Sequence, residues 1–212
     1  MLMKLSADEL GRQAYKRVKD MIINGELSPG QKVVQDKLAE QLGISRTPLR
    51  SALQMLEGEN LIESIPRRGV VVKKFTDQEV IEIYDCRIAL ETTAVKLFTD
   101  RATDTQIKRL AQLFEPFKDS NPVDEPTYQK ADSKFHNTII DKCGNQFLSN
   151  LFHKGNLLLA IDMIGLVRPP ADTLSEHFEI INAIQQRDPA KAALHLEEHL
   201  DASRRLIKVK KD

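Results

Sequence analysis

The chain has 212 residues, 41% of them apolar and 29% charged, which is the balance of a folded globular protein and excludes global disorder. Lysine plus arginine and aspartate plus glutamate each number 31, which excludes a uniformly basic nucleic-acid coat and a uniformly acidic tail protein. The longest mostly apolar run, Leu157 to Val167, is interrupted by Asp162 and is shorter than the about 20 residues that a membrane-spanning helix needs.

In chain order, Ser6-Ala7-Asp8-Glu9 reads as a capping box. It opens a helix to about Asn24, with Leu10, Ala14, Val18, Met21 and Ile22 on one face. Gly25 ends it, and Ser28-Pro29-Gly30 is a turn. A short helix is predicted from about Gln35 to Leu42, closed by Gly43. Ser45 is the expected N-cap of the next helix, which runs to about Glu57 with Leu49, Ala52, Leu53 and Leu56 inward and Pro48 tolerated in its first turn. Leu61 to Ile65 and Val70 to Val72 read as short strands, with Pro66-Arg67-Arg68-Gly69 at the hairpin tip.

Everything after residue 76 reads as helix. Thr76 to Glu79 and Thr103 to Gln106 are capping boxes, opening helices to about Phe98 and Phe117. Pro116, Pro122 and Pro126 bracket a loop, and helices are predicted at about 127–142, 145–164, 172–187 and 189–209. The expected fold is mostly α: an N-terminal winged helix-turn-helix over residues 1–75, then an all-α six-helix domain over 76–212.

The zero net charge conceals an asymmetry. Residues 1–75 carry 13 basic and 9 acidic side chains, a net of +4, and the remainder balances it at −4. Only the first part is suited to a polyanion. Two short helices joined by Gly43-Ile44-Ser45 have helix-turn-helix spacing, and Arg46 and Arg50 lie one turn apart at the start of the second helix. Recognition helices present such residues to base edges, where arginine to guanine is the commonest specific contact. Ser45 and Thr47 add hydroxyls suited to phosphate, and Arg67, Arg68 and Gly69 put two cations and a flexible residue at the wing. Exposed arginines on a helix also occur as a solvated face; the turn spacing and the basic wing together favour DNA.

The C-terminal part places polar groups on apolar stripes. Asp132 and His136 lie one turn apart among Tyr128, Ala131, Phe135, Ile139 and Ile140. His177 lies on the stripe of Leu174, Phe178, Ile181 and Ile184, and His199 on that of Ala192, Leu196, Leu200 and Ser203. Buried carboxylates and imidazoles need compensation, and a divalent ion compensates them together. Three histidines and an aspartate suit Zn²⁺, Ni²⁺ or Mn²⁺. Each residue alone also reads as a hydrogen-bonded core group. His195, one turn before His199, is a competing ligand at the flank of its helix, and His153 falls off its stripe. Arg87 and Glu91 share an inward stripe; they read either as a clamp for an effector carboxylate or as a salt bridge tying helices together.

Three stretches carry a resemblance: Ile23 to Gly30, Leu38 to Arg50 and Pro66 to Gly69. Through them residues 8–75 resemble the winged helix of the GntR family of bacterial transcription regulators. The resemblance implies operator binding as a dimer, with Arg46, Thr47, Arg50 and the wing near Arg68 and Gly69 as contacts. Ser51, Asp36 and Asn60 depart from the family's usual acidic, basic and glycine residues. Residues 77–207 resemble the helical effector domain of the FadR subfamily in its six-helix, VanR-like form, through Arg87 to Glu91, Asp132 to His136, Glu176 to Ile184 and His199-Leu200. That implies a metal at Asp132, His136, His177 and His199, and a small carboxylate bound beside it.

The expectation is therefore a homodimeric repressor. It would bind a short double-stranded operator, and a small organic acid at the metal site would modulate its affinity by changing the relative placement of the two winged helices. The alternatives are a regulator for which the metal itself is the signal, and a metal-dependent enzyme. Against the enzyme, no inward glutamate is placed as a general base. Met1 to Gly11 contain no apolar export segment, and Cys86 and Cys143 form no C-x-x-C, so free thiols and a cytoplasmic location are expected.

Overall fold

The structure, a computed structural model, describes residues 7–119 and 123–209. The expected N-cap Ser6 and loop residue Pro122 lie outside the described residues. The chain divides into two compact units after Lys74.

In the first unit, α1 (Ala7–Ile23) buries Ala14, Val18, Met21 and Ile22, the stripe that helical spacing puts on one face. It packs chiefly on α3 (Arg46–Gly58), which turns Leu49, Ala52, Leu53 and Leu56 inward. Helix α2 (Gln35–Leu42) is closed by Gly43 at φ 64°, a left-handed backbone that glycine adopts without steric cost. Strands β1 (Ile62–Ile65) and β2 (Gly69–Val72) pair antiparallel, Ile62 opposite Val72 and Ile65 opposite Gly69. A third short edge was not expected. The Val33 N–H donates to the Val70 carbonyl and the Val72 N–H to the Gln31 carbonyl, so residues 31–33 extend the wing sheet.

In the second unit, α4 (Asp77–Arg101) starts at the Thr76–Glu79 capping box and α5 (Asp104–Ala111) at the Thr103–Gln106 box. Helix α5 ends six residues before the expected Phe117. Pro116 has no N–H to donate and its ring clashes with the carbonyl four residues back, so residues 115–117 form a single 3₁₀ turn. Helix α6 (Glu125–Lys142) begins at Asp124, whose carboxylate accepts the Thr127 N–H, and Pro126 sits in the first turn where an N–H is not needed. The stretch expected as one helix over 145–164 forms two, α7 (Gln146–Lys154) and α8 (Leu157–Ile164), because Asn156 takes a left-handed backbone at φ 49°. Helices α9 (Pro170–Gln185) and α10 (Pro189–Val209) complete the unit. Helix α10 lies along α4 and α9, around a core that includes Phe98, Phe114, Phe135, Ile139, Ile180 and Leu196. Among the described residues no helix is long and apolar enough to cross a membrane.

Candidate metal centre and DNA-reading surface

The stripe that holds α6 in the core also carries Asp132 and His136 inward, one above the other. His177 on α9 and His199 on α10 meet them. One ligand atom from each of the four lies within 4.8 Å of the others, the one such group among the described residues. The three histidines are buried and Asp132 is half-buried. Asp132 Oδ1 is 3.1 Å from His177 Nε2 and 3.8 Å from His136 Nε2.

Each imidazole is held at its other nitrogen. His136 Nδ1 is 2.5 Å from Glu91 Oε2, and His199 Nδ1 is 2.7 Å from Glu176 Oε2. His177 Nδ1 is 3.0 Å from the Tyr128 hydroxyl, itself 2.8 Å from Thr173 Oγ1. A carboxylate only accepts, so Nδ1 carries the proton in His136 and His199 and the Nε2 lone pair faces the cluster. Among the described residues His136 Nε2 and His177 Nε2 are buried without a hydrogen-bond partner, although Asp132 Oδ1 stands 3.1 Å from the second. Two buried, unpaired imidazole nitrogens beside a carboxylate are costly unless a cation joins them, and this N₃O donor set suits a borderline divalent ion.

The electrostatics of the site are tuned the same way. Burial works to raise the Asp132 carboxyl pKa, but His177, His136 and His199 outweigh it and hold the group well below the carboxylate range. Burial likewise opposes ionised Glu91, yet Arg87 and His136 keep it at about 2. Burial pushes His177 and His199 down, His199 to about 4, so both imidazoles are neutral at neutral pH, the form in which a histidine can coordinate.

Beside the cluster lies a cavity lined by Arg87, Arg168, Tyr84, Gln129 and Ser203. Arg87 makes the salt bridge of one of its sequence readings. Its Nε is 2.6 Å from Glu91 Oε1, while Nη2 is buried with no partner. Arg168, from the segment between α8 and α9, pairs through both Nη atoms with Glu176. Sequence reasoning did not assign Glu91 to His136, Glu176 to His199 or Tyr128 to His177, and it missed Arg168. These partners lie 45, 23 and 49 residues away along the chain, so no local pattern marked the pairings, and nothing marked Arg168. His195 faces Glu179 and Glu198, at 3.6 and 3.8 Å, and stays outside the cluster. His153 is exposed and paired with Asp141.

In the first unit, Ser45, Arg46, Thr47 and Arg50 are all exposed at the start of α3, while Pro48 and Leu49 between them are buried. Ser45 occupies the N-cap position but its side chain makes no capping bond, so the hydroxyl is free for another acceptor or donor. Arg46 Nε lies 2.6 Å from Asp36 Oδ1. Arg67, at φ 64°, Arg68 and Gly69 form the exposed wing tip, and the Lys32 side chain lies beside Gly69.

Comparison with known proteins bears on both units. Residues 10–72 match the family model described as bacterial regulatory proteins, gntR family, and residues 82–202 match the FCD domain. An uncharacterized helix-turn-helix transcriptional regulator of Bacillus subtilis, YdhC, is 31% identical over 89% of this chain and 87% of its own length. The gluconate operon transcriptional repressor of the same organism is 26% identical over 93% of this chain and 84% of its own. Among solved structures, Escherichia coli McbR/YncC superposes with a TM-score of 0.76 at 22% identity, covering 99% of this chain and all of that one, which is a likeness of fold. The chain belongs to the GntR family of bacterial DNA-binding transcription regulators and carries that family's FCD domain.

Proposed function

We propose that this regulator is a homodimeric repressor whose operator affinity is set by a small carboxylate bound beside a divalent metal, zinc before nickel or manganese. Residues 1–75 read the operator and residues 76–212 sense and dimerise. Asp132, His136, His177 and His199 would hold the metal, which would supply positive charge for a carboxylate oxygen, and Arg87 would take the carboxylate through its unpaired Nη2. Ser45, Arg46, Thr47, Arg50, Arg67, Arg68 and Gly69 contact DNA, by base edges from α3 and by backbone from the wing. The observation that carries the metal reading is the pair of buried, unpartnered Nε2 atoms on imidazoles whose Nδ1 atoms are already held. Repression accords with the relative named the gluconate operon transcriptional repressor.

The test is elemental analysis of the untagged protein beside a His136→Ala/His177→Ala variant. About one metal per chain, lost in the variant, is the expected result; no metal in either overturns the reading. Operator binding is then titrated with simple carboxylates, with and without chelator. Release by chelator alone, at fixed carboxylate, would make the metal itself the signal.

A further inference from the structure

We infer that Asp36 is a positioning residue for base recognition, holding Arg46 so that its two terminal amino groups face a guanine. This rests on the reading of Arg46 as a DNA contact. Asp36 is the second residue of α2 and Arg46 the first of α3, so the tight turn at Gly43 brings their side chains together. The carboxylate Oδ1 lies 2.6 Å from Arg46 Nε, and no other partner of Arg46 is found among the described residues.

The pair is 65% and 77% exposed, and ion pairs so open to water add little to stability. What it fixes is direction. A guanidinium offers five donors in a planar fork. With the Nε edge against Asp36, the edge that remains is the one carrying both Nη groups, the edge that meets guanine O6 and N7 in a bidentate contact. The carboxylate also repels phosphate, so it discourages Arg46 from settling on the DNA backbone, where it would hold on without reading sequence. Arg50, one turn along α3, has no such partner among the described residues. The two arginines therefore differ in stringency: Arg46 specifies its base strictly and Arg50 loosely.

The experiment uses the full-length protein. A duplex preferred by the wild type is selected from a pool with randomised central positions, and its affinity is compared with that of a scrambled duplex of the same length at one salt concentration. Each guanine of the preferred duplex is then replaced in turn by 7-deazaguanine, which removes the N7 acceptor. For Asp36→Ala we expect the specific-to-scrambled ratio to fall about fivefold, the scale of ordering one long side chain on binding. Affinity for the scrambled duplex should rise about threefold as a negative charge leaves the surface. The penalty for 7-deazaguanine should shrink at one guanine only. Asp36→Asn, which keeps an acceptor without the charge, should retain more of the ratio than alanine does.

If both affinities rise together and the ratio holds, Asp36 acts as a charge alone and the inference is overturned. Arg46→Ala separates this failure from that of the underlying reading. An unchanged ratio in Arg46→Ala would remove Arg46 from the interface. A lowered ratio in Arg46→Ala, beside an unchanged one in Asp36→Ala, would leave Arg46 a contact and remove Asp36 as its support. In the Arg46→Ala background, Asp36→Ala should cost no further specificity.

Discussion

Replacing Arg87 by alanine should destabilise the helical unit by about 3 kcal/mol at pH 7, measured on chelated protein so that metal does not enter. Arg87 and Glu91 are 2% and 1% exposed, with 2.6 Å between Nε and Oε1. Burial alone would raise the Glu91 pKa; the Arg87 charge, and after it His136, hold the group at about 2 against an ordinary 4.5. At about 1.4 kcal/mol per unit, that depression corresponds to about 3 kcal/mol of stability at neutral pH. A second scale agrees: stranding one member of a buried ion pair costs about 3–5 kcal/mol. Divided by an unfolding entropy of about 2 cal/mol/K per residue, the loss lowers Tm by about 10 °C. Thermal unfolding followed by calorimetry, where the two units can melt separately, reads it directly. The double variant Arg87→Met/Glu91→Gln removes both charges and should recover most of the loss. A drop below about 3 °C in Arg87→Ala, or a double variant no more stable than the single, would refute the reasoning.

Three further predictions follow from the same geometry. Glu176→Ala deprives His199 Nδ1 of its acceptor and should weaken zinc binding about 10–100-fold by calorimetric titration, with the fold kept; equal affinity would mean that the contact does not orient the ring. The chelated protein should lose stability on acidification. Burial puts the folded pKa values of His177 and His199 below the ordinary 6.5, so the unfolded chain takes up protons first as pH falls through that value. Glu91 and Glu176, both held at about 2, extend the loss from 4.5 downward, so a flat Tm between pH 7 and 4 would contradict the electrostatics of the site. Arg67→Ala/Arg68→Ala should reduce the slope of log affinity against log salt by about 2, one released counterion for each lost phosphate contact, and an unchanged slope would take the wing off the backbone.

What the sequence disclosed and what it hid divide along a physical line. Asp132 and His136 could be found because a helix repeats nearly every four residues, so two polar groups on an apolar stripe announce themselves. The capping boxes at Thr76 and Thr103 are local chemistry and stand in the structure as written. The break between α7 and α8 was hidden, since Leu151, Phe152, Leu157 and Leu158 continue the apolar run through Gly155 and Asn156; one residue's left-handed backbone ends a helix without disturbing its pattern. The third edge of the wing, 31–33, is too short to alternate. Glu91 was legible as a partner of Arg87 on its own helix, but its second oxygen reaches His136 only because α4 packs on α6, and no window along the chain contains that fact. Arg168 sits between Gly165 and Pro169, where there is no period to fall out of step with.

The arrangement around the four proposed ligands bears on how a signal could arise. The cluster draws on α6, α9 and α10, Glu91 and Arg87 add α4, and Arg168 adds the segment between α8 and α9. A carboxylate that bound equally well to two forms of this domain would shift nothing, however tightly it bound. It must make a contact in one form that it lacks in the other. Most polar groups on the cavity wall are already committed: Arg168 to Glu176, His199 to Glu176, and Arg87 Nε to Glu91. Arg87 Nη2 is a buried donor with no partner among the described residues, and it belongs to a side chain whose Nε braces the carboxylate that holds His136. A carboxylate seated on Nη2 would therefore pull on α4 and on a proposed metal ligand together, through one guanidinium. Arg87→Lys tests this economy, because a lysine ammonium is a single point and cannot serve both sides of that fork. It should keep the Glu91 charge compensated and the domain folded, while abolishing the effect of carboxylate on operator affinity. An Arg87→Lys variant that still responds fully would place the coupling elsewhere in the domain.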